Sequence, residues 1–341
     1  MDVGLLYIGA PPGTRALEET KMKAILVREF GAPEVMKLEE VPTPKPGAGQ
    51  VLVHIRAAGV NPFDTYMRSG SYAVKPALPY TPGGDGAGVV ESVGQGVTKV
   101  KAGDRVYLAH PLTGTYAEFT LALESQVNPL PERVSFPEGA GVYVAYGTAY
   151  HGLVHHGKAH ASESVLVHGA SGGVGIAAVQ IARAMGLTVI GTAGTEKGLE
   201  LVKREGAQYV FNHRTAGYQD AIREATGGRG VDIILEMLAN VNLAADCKLV
   251  ARGGRVVVIG SRGDATITPR DLMGRNASIH AFTMWNISEA DEADVHAGIA
   301  GGLANGTMRP VVGKEMPLAD AVRAHKEVME PGAFGKIVLI P

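Results

Sequence analysis

ESVLVHGASGGVGIAAVQIARAMG, residues 163–186, decides the fold. It begins with a short apolar, β-branched run from Ser164 to His168 and passes through a turn dense in glycine. From Val174 onward its apolar residues take helical spacing: Ile176, Ala177, Val179, Ile181 and Ala184. Strand, glycine turn and helix form the context in which a Gly-x-Gly-x-x-Gly pattern has physical meaning. A turn without side chains lets backbone approach a pyrophosphate. The helix behind it offers unpaired N–H groups and the positive end of its dipole. Ala170, Gly172 and Gly175 fill the fingerprint positions, and Gly173 adds another glycine. Alanine in the first place is a departure, so the turn is made differently there. Two other readings fit the same letters: a glycine-rich turn with no ligand, and the Gly-x-Ser-x-Gly elbow of an α/β-hydrolase with Ser171 as nucleophile. The surrounding chain has to decide.

Downstream, strands and helices alternate. Helices are expected at 174–185, 196–205, 218–225 and 242–251, between strands at 188–192, 209–212, 231–235, 255–260 and 279–282. With 164–168 this makes six strands and implies a parallel, doubly wound Rossmann sheet with right-handed crossovers. Upstream the pattern is β-rich and alternating, at 23–27, 50–56, 88–93, 104–108 and 117–121, separated by turns such as Pro46-Gly47. That predicts an irregular barrel or sandwich, followed by a helix over 137–157. A lone strand at 335–340 is expected to return to the first domain. The expected division is an extension at 1–21, a β-rich domain at 22–145, a dinucleotide-binding domain at 146–305 and a returning segment at 306–341.

Composition narrows the function classes. The chain has 341 residues, 45% hydrophobic and 19% charged, which suits a globular protein of two domains. Its formal charge is −2, from 32 basic and 34 acidic residues, so no general polyanion-binding surface is advertised. One cysteine, Cys247, excludes an internal disulfide and fits a reducing, cytoplasmic setting. No apolar run reaches the ~18 residues of a membrane span. Residues 1–21 lack a basic n-region and a long h-region, so they do not read as a secretory signal.

The second strand of the sheet carries the coenzyme argument. An NAD enzyme places Asp or Glu at its end, about 20 residues past the glycines, on the ribose hydroxyls. This chain has Thr192-Ala193-Gly194-Thr195-Glu196-Lys197. Small neutral residues leave room for a 2′-phosphate, Lys197 can pair with it, and His213 and Arg214 can add donors. Glu196 stands against this, but on a first helical turn it complements the dipole. The expectation is NADPH.

A zinc dehydrogenase needs thiolate and imidazole ligands. The relevant loops read Ala58-Gly59-Val60-Asn61-Pro62-Phe63-Asp64 and Pro82-Gly83-Gly84-Asp85-Gly86, without either. His151 and His155 are four apart with His156 adjacent, but no His-Glu-x-x-His glutamate lies between them. They read as solvated or capping histidines. No Tyr-x-x-x-Lys occurs, so short-chain dehydrogenase chemistry is unsupported. No metal is expected.

The stretch Val60-Asn61-Pro62-Phe63-Asp64-Thr65-Tyr66-Met67-Arg68-Ser69-Gly70-Ser71-Tyr72 resembles the signature of the quinone oxidoreductase family, which includes the zeta-crystallins. So do VLVHGASGGVG, GTAGTE, FNHR, EMLANVNL and VVVIGSRG, and the resemblance covers residues 22–341. It implies a zinc-free medium-chain dehydrogenase/reductase with a GroES-like first domain. The implied activity is reduction of quinones or α,β-unsaturated carbonyls by NADPH, in a homodimer or homotetramer. By that resemblance, cofactor contacts fall on Tyr66, Ser171, Gly172, Gly173, Val174, Gly194, Thr195, Lys197, His213 and Asn242, and on Ile259, Gly260, Ser261, Arg262, Phe282, Thr283 and Met284. Some family members carry tyrosine where His213 stands. Asn61, Tyr66 and Tyr72 are the candidates for the substrate pocket: an aromatic face suits a quinone ring, and a hydroxyl or amide can donate to a developing oxyanion. Tyr66 and Tyr72 also fit a plain role as loop-packing aromatics. Some zeta-crystallins serve as lens structural proteins or bind single-stranded RNA; with no basic tract, RNA is a minor expectation here.

Overall fold

The alternation seen from Lys23 begins earlier in the structure, a computed structural model that describes residues 20–341. The expected extension lies outside the described residues up to position 19, and Lys21 already starts the first strand. In chain order the strands of the β-rich part are β1 (Lys21–Val27), β2 (Met36–Pro42), β3 (Gln50–Val60), β4 (Asp85–Val93), β5 (Arg105–Ala109), β6 (Phe119–Leu123) and β7 (Val127–Pro129). β8 (Ser164–Val167), β9 (Thr188–Ala193), β10 (Tyr209–Asn212), β11 (Val231–Glu236), β12 (Val250–Val258) and β13 (Ser278–Ala281) follow. The chain ends with β14 (Val312–Pro317) and β15 (Lys336–Ile340).

β8 to β13 form one parallel sheet in the order β10-β9-β8-β11-β12-β13, the doubly wound order with its switch point beside β8. All four residues of β8 are buried, as a strand covered by helices on both faces requires. Leu166, Ile190, Ile234 and Val256 pack on one face of this sheet; Val165, Val167, Val189, Ile233 and Val257 pack on the other. The β-rich part is a second sheet in the order β14-β15-β3-β4-β5-β7, with β6 on β3, beside the β1–β2 ribbon. β15 lies antiparallel to β3, pairing Ile337 with Val60 and Leu339 with Ala58, so the last strand does return to the β-rich sheet.

Two of the expected helices take a different form. The helix predicted over 137–157 is a short turn at Phe136–Gly139, followed by Tyr143–His156, in which π-helical turns flank Thr148–Tyr150. The wider i→i+5 turn sets His151 against both His155 and His156. The helix predicted at 242–251 runs Ala239–Leu249, and β12 begins at once rather than at 255. A register shift follows Val231, where Gly253 takes a φ of +74° that a side chain would resist, so pairing resumes only at Ile233–Arg255.

Candidate active-site crevice

The glycine turn is built one residue earlier than the fingerprint suggests. Gly169 adopts the left-handed φ of +57°, whereas Ala170 does not, which explains why alanine is tolerated in the first place. Ala170 is fully buried and its N–H donates to the Thr192 carbonyl at 2.8 Å. Gly172 caps the helix Gly173–Ala184 in extended backbone. A Cβ on Gly175 would lie 2.5 Å from the Gly169 oxygen and the Ala170 Cα, so this glycine lets helix and turn pack.

Ser171 is buried, and its Oγ donates to the Ala333 carbonyl at 2.7 Å. Its own carbonyl accepts from Gly335 N–H at 2.8 Å, beside a parallel bridge between Gly172 and Gly335. The serine ties the turn to the approach of β15. Among the described residues no histidine is hydrogen-bonded to it, so the hydrolase reading lacks a general base and falls.

Above the turn, a crevice of about 840 Å³ opens between the two sheets. Asn61, Tyr66 and Tyr72 line one wall. Gly172, Gly173, Val174, Ile259, Gly260, Ser261, Arg262, Phe282, Thr283 and Met284 line the other. Tyr72 spans it, with its hydroxyl 3.2 Å from Thr283 Oγ1. Ser171, Gly194, Thr195, Lys197, His213 and Asn242 do not line this volume. Thr195 Oγ1 accepts from Gly198 N–H at 3.1 Å and caps the helix Glu196–Arg204. Lys197 Nζ stands 4.1 Å from the centre of the Phe334 ring, itself a crevice wall. A Cβ on Gly194 would come within 2.7 Å of His213 Nε2 and 3.0 Å of Arg214 Nε, so these groups gather at the ends of β9 and β10. Burial lowers the His213 pKa, helped by His168 and Arg214. Asn242 Nδ2 donates to Glu236 Oε1 at 3.2 Å, which holds the strand end below the crevice.

The floor joins the candidate Asn61 to two residues that the sequence reading did not single out, Lys336 and Asp85. Lys336 Nζ donates to Asn61 Oδ1 at 2.5 Å and to Asp85 Oδ2 at 2.8 Å, and Asn61 Nδ2 donates to Asp85 Oδ2 at 3.1 Å. Asp85 Oδ1 accepts from Val144 N–H at 2.8 Å. All three side chains are buried, and the ammonium uses two of its three N–H donors within this cluster. Asp64, three residues into the capping box of the helix Pro62–Ser69, accepts from Asn61 N–H at 2.8 Å. Burial pushes its pKa up to about 7 against the pull of that N–H and of Lys336. His110 and Trp285 also line the crevice, their rings stacked at 4.5 Å, with Phe63 edge-on to both. Burial lowers the His110 pKa and keeps its imidazole neutral. Only a scan for paired polar residues at the ends of β3, β4 and β15 could have found the floor, and that pairing depends on topology.

These donors do not suit a catalytic zinc. Such a site takes three protein ligands with thiolate or imidazole prominent. Here an ammonium already sits between the Asn61 and Asp85 oxygens, the nearby imidazole is stacked on an indole, and Cys247 is buried in the helix Ala239–Leu249.

A six-stranded parallel sheet and a β-rich sheet closing on one crevice define a two-domain oxidoreductase of the medium-chain dehydrogenase/reductase class. Residues 47–132 match the alcohol dehydrogenase GroES-like domain, and residues 173–297 match the zinc-binding dehydrogenase domain. The chain belongs to the quinone oxidoreductase family within that class. It is 50% identical over 322 residues to quinone oxidoreductase of Rattus norvegicus, covering 94% of this chain and 98% of that one. The human quinone oxidoreductase is 48% identical over 321 residues, with the same coverage. Among solved structures, Escherichia coli quinone oxidoreductase complexed with NADPH superimposes with a TM-score of 0.83 at 28% identity, covering 94% of this chain and 99% of that one. A mycobacterial protein complexed with NADPH gives 0.86 at 31% identity, covering 94% and 100%.

Proposed function

We propose that the protein reduces quinones, and other α,β-unsaturated carbonyls of similar shape, with NADPH and without a metal. The observation that carries the reading is the crevice: a glycine-rich turn at its base, aromatic and aliphatic walls, and a buried ammonium on its floor. NADPH, when bound, supplies the reducing equivalents. Gly172, Gly173 and Val174 would hold its pyrophosphate on backbone N–H groups, and Ile259 to Arg262 and Phe282 to Met284 would line the nicotinamide end. Lys197, with Gly194, Thr195 and His213, would receive the 2′-phosphate at the end of β9. Tyr66 and Tyr72 offer flat faces and hydroxyls to the acceptor. Asn61, held by Lys336 and Asp85, fixes the floor so that its charge is preorganised toward an oxygen gaining negative charge. The Tyr72–Thr283 contact narrows the opening and helps exclude water.

We further propose a homodimer or homotetramer, supported by β13, which forms an outer edge of its sheet. No helix among the described residues is long and apolar enough to cross a membrane. Trp285, the one tryptophan, lines the crevice and reports on binding. Fluorescence titration should show NADPH binding at least tenfold tighter than NADH, with turnover of 9,10-phenanthrenequinone. No NADPH binding, or equal affinity for both coenzymes, would overturn the reading.

A further inference from the structure

Behind the crevice wall lies a cluster that the reaction does not use. His151, expected to be solvated or capping, is only 4% exposed and joins a chain of imidazoles. Its Nδ1 is 2.6 Å from His155 Nδ1, and its Nε2 is 3.1 Å from His156 Nε2. His155 Nε2 reaches Asp294 Oδ2 at 2.9 Å and Asp291 Oδ1 at 3.9 Å. One set of neutral tautomers satisfies every link: His155 donates to Asp294, His151 donates to His155, and His156 donates to His151. Burial, with His156 and His155 beside it, pushes His151 down to about 4, so its ring stays uncharged at neutral pH.

We propose that His151, His155 and Asp291 form a binding site for a borderline divalent ion such as zinc, and that occupancy is felt in the crevice through Phe282. One ligand atom from each of the three lies within 4.8 Å of the other two. Ligands about 2.0–2.1 Å from a tetrahedral zinc sit roughly 3.3 Å apart, so a small closure completes the set. Two imidazoles and a carboxylate suit zinc or nickel far better than magnesium. Asp291 is on the first turn of the helix Glu289–Asn305 and the histidines are on the π-turn facing it, so the ion would bridge two elements. Phe282 lies edge-on to His151 at 4.8 Å and stacked on His156 at 4.7 Å, and its other surroundings include the crevice. Turning these rings to ligate an ion moves the Phe282 wall.

Calorimetric titration of the whole chain with zinc chloride tests the site, independently of any coenzyme. One equivalent should bind, magnesium chloride should give no binding, and His155→Asn and Asp291→Asn should each weaken zinc at least tenfold. Absence of stoichiometric binding, or wild-type affinity in both variants, overturns the site. The coupling also rests on NADPH occupying the crevice. Titrating NADPH with and without one equivalent of zinc should show at least a threefold change in affinity that His155→Asn abolishes. Equal affinities overturn the coupling, as does an undiminished change in the variant, which would place the ion on the coenzyme phosphates.

Discussion

Lys336 Nζ donates to Asp85 Oδ2 at 2.8 Å, joining positions 251 apart in the chain where β15 and β4 flank β3. Both side chains are almost fully enclosed, at 7% and 1% exposure. A pair of this kind adds little net stability over an apolar substitute, yet removing one partner strands a buried charge at about 3–5 kcal/mol. Lys336→Met should therefore unfold several kcal/mol more easily in urea, and Lys336→Met with Asp85→Asn should recover part of the loss. In folded Lys336→Met, kcat for quinone should fall about 100-fold if the ammonium stabilises the developing oxyanion, with NADPH affinity within threefold. Unchanged kcat would leave Lys336 a purely structural cation.

Asp64 connects this floor to pH. Its folded pKa of about 7 stands well above the ordinary 3.8, because burial penalises the carboxylate. Between those values the folded protein keeps a proton that the unfolded chain has lost. The stabilisation is full below about pH 4 and is lost as pH rises toward 7, a swing on the order of 4 kcal/mol. Asp64→Asn keeps an oxygen for the Asn61 N–H and has no proton to lose. Denaturant unfolding at pH 5 and pH 8 should show a larger loss in the wild type than in the variant. Equal losses would mean that Asp64 titrates normally.

Tyr72 can be tested as hydroxyl donor and as tie across the crevice. Tyr72→Phe removes both functions and keeps the ring; Thr283→Ala breaks the 3.2 Å contact together with the Thr283 Oγ1 acceptor of Trp285 N–H at 3.4 Å. Donation to a quinone oxygen predicts a fall of about 10- to 100-fold in kcat/KM for Tyr72→Phe, several-fold larger than the loss in Thr283→Ala. Equal losses in both would make Tyr72 a tie alone, and wild-type kinetics in Tyr72→Phe would remove it from the mechanism.

The parallel sheet was legible because each of its strands carries its own signal: β-branched runs at Val165–Val167 and Val256–Val258, glycine turns, and helices of regular period. The interrupted helix at Tyr143–His156 was not, since a π-turn leaves the apolar spacing nearly helical. The crevice walls could be read where the residues fall at strand ends. The floor could not: Asp85 follows Pro82-Gly83-Gly84 in what reads as a loop, and Lys336 opens what reads as a plain strand. The antiparallel pairings of β15 and of β4 with β3 bring them together. His110 has no local signal either; its backbone φ of +47° and its place against Trp285 are set by the tertiary fold.

Coenzyme choice is the sharpest test of the end of β9. Thr195 caps the following helix by accepting from Gly198 N–H at 3.1 Å, and aspartate is an equally good cap. Thr195→Asp should therefore leave the melting temperature nearly unchanged while placing a carboxylate where an NAD enzyme has one. It should weaken NADPH at least tenfold by repulsion from the 2′-phosphate and leave NADH equal or better. Lys197 is exposed and rests on the Phe334 ring, so Lys197→Ala should weaken NADPH by about tenfold, less at high salt, without affecting NADH. Gly194 is the wrong place for that carboxylate, because its Cβ would meet His213 Nε2 at 2.7 Å. Fluorescence titration of both coenzymes against both variants separates the outcomes. An NADPH-to-NADH ratio unmoved in Thr195→Asp would mean that the 2′-phosphate binds elsewhere than the end of β9.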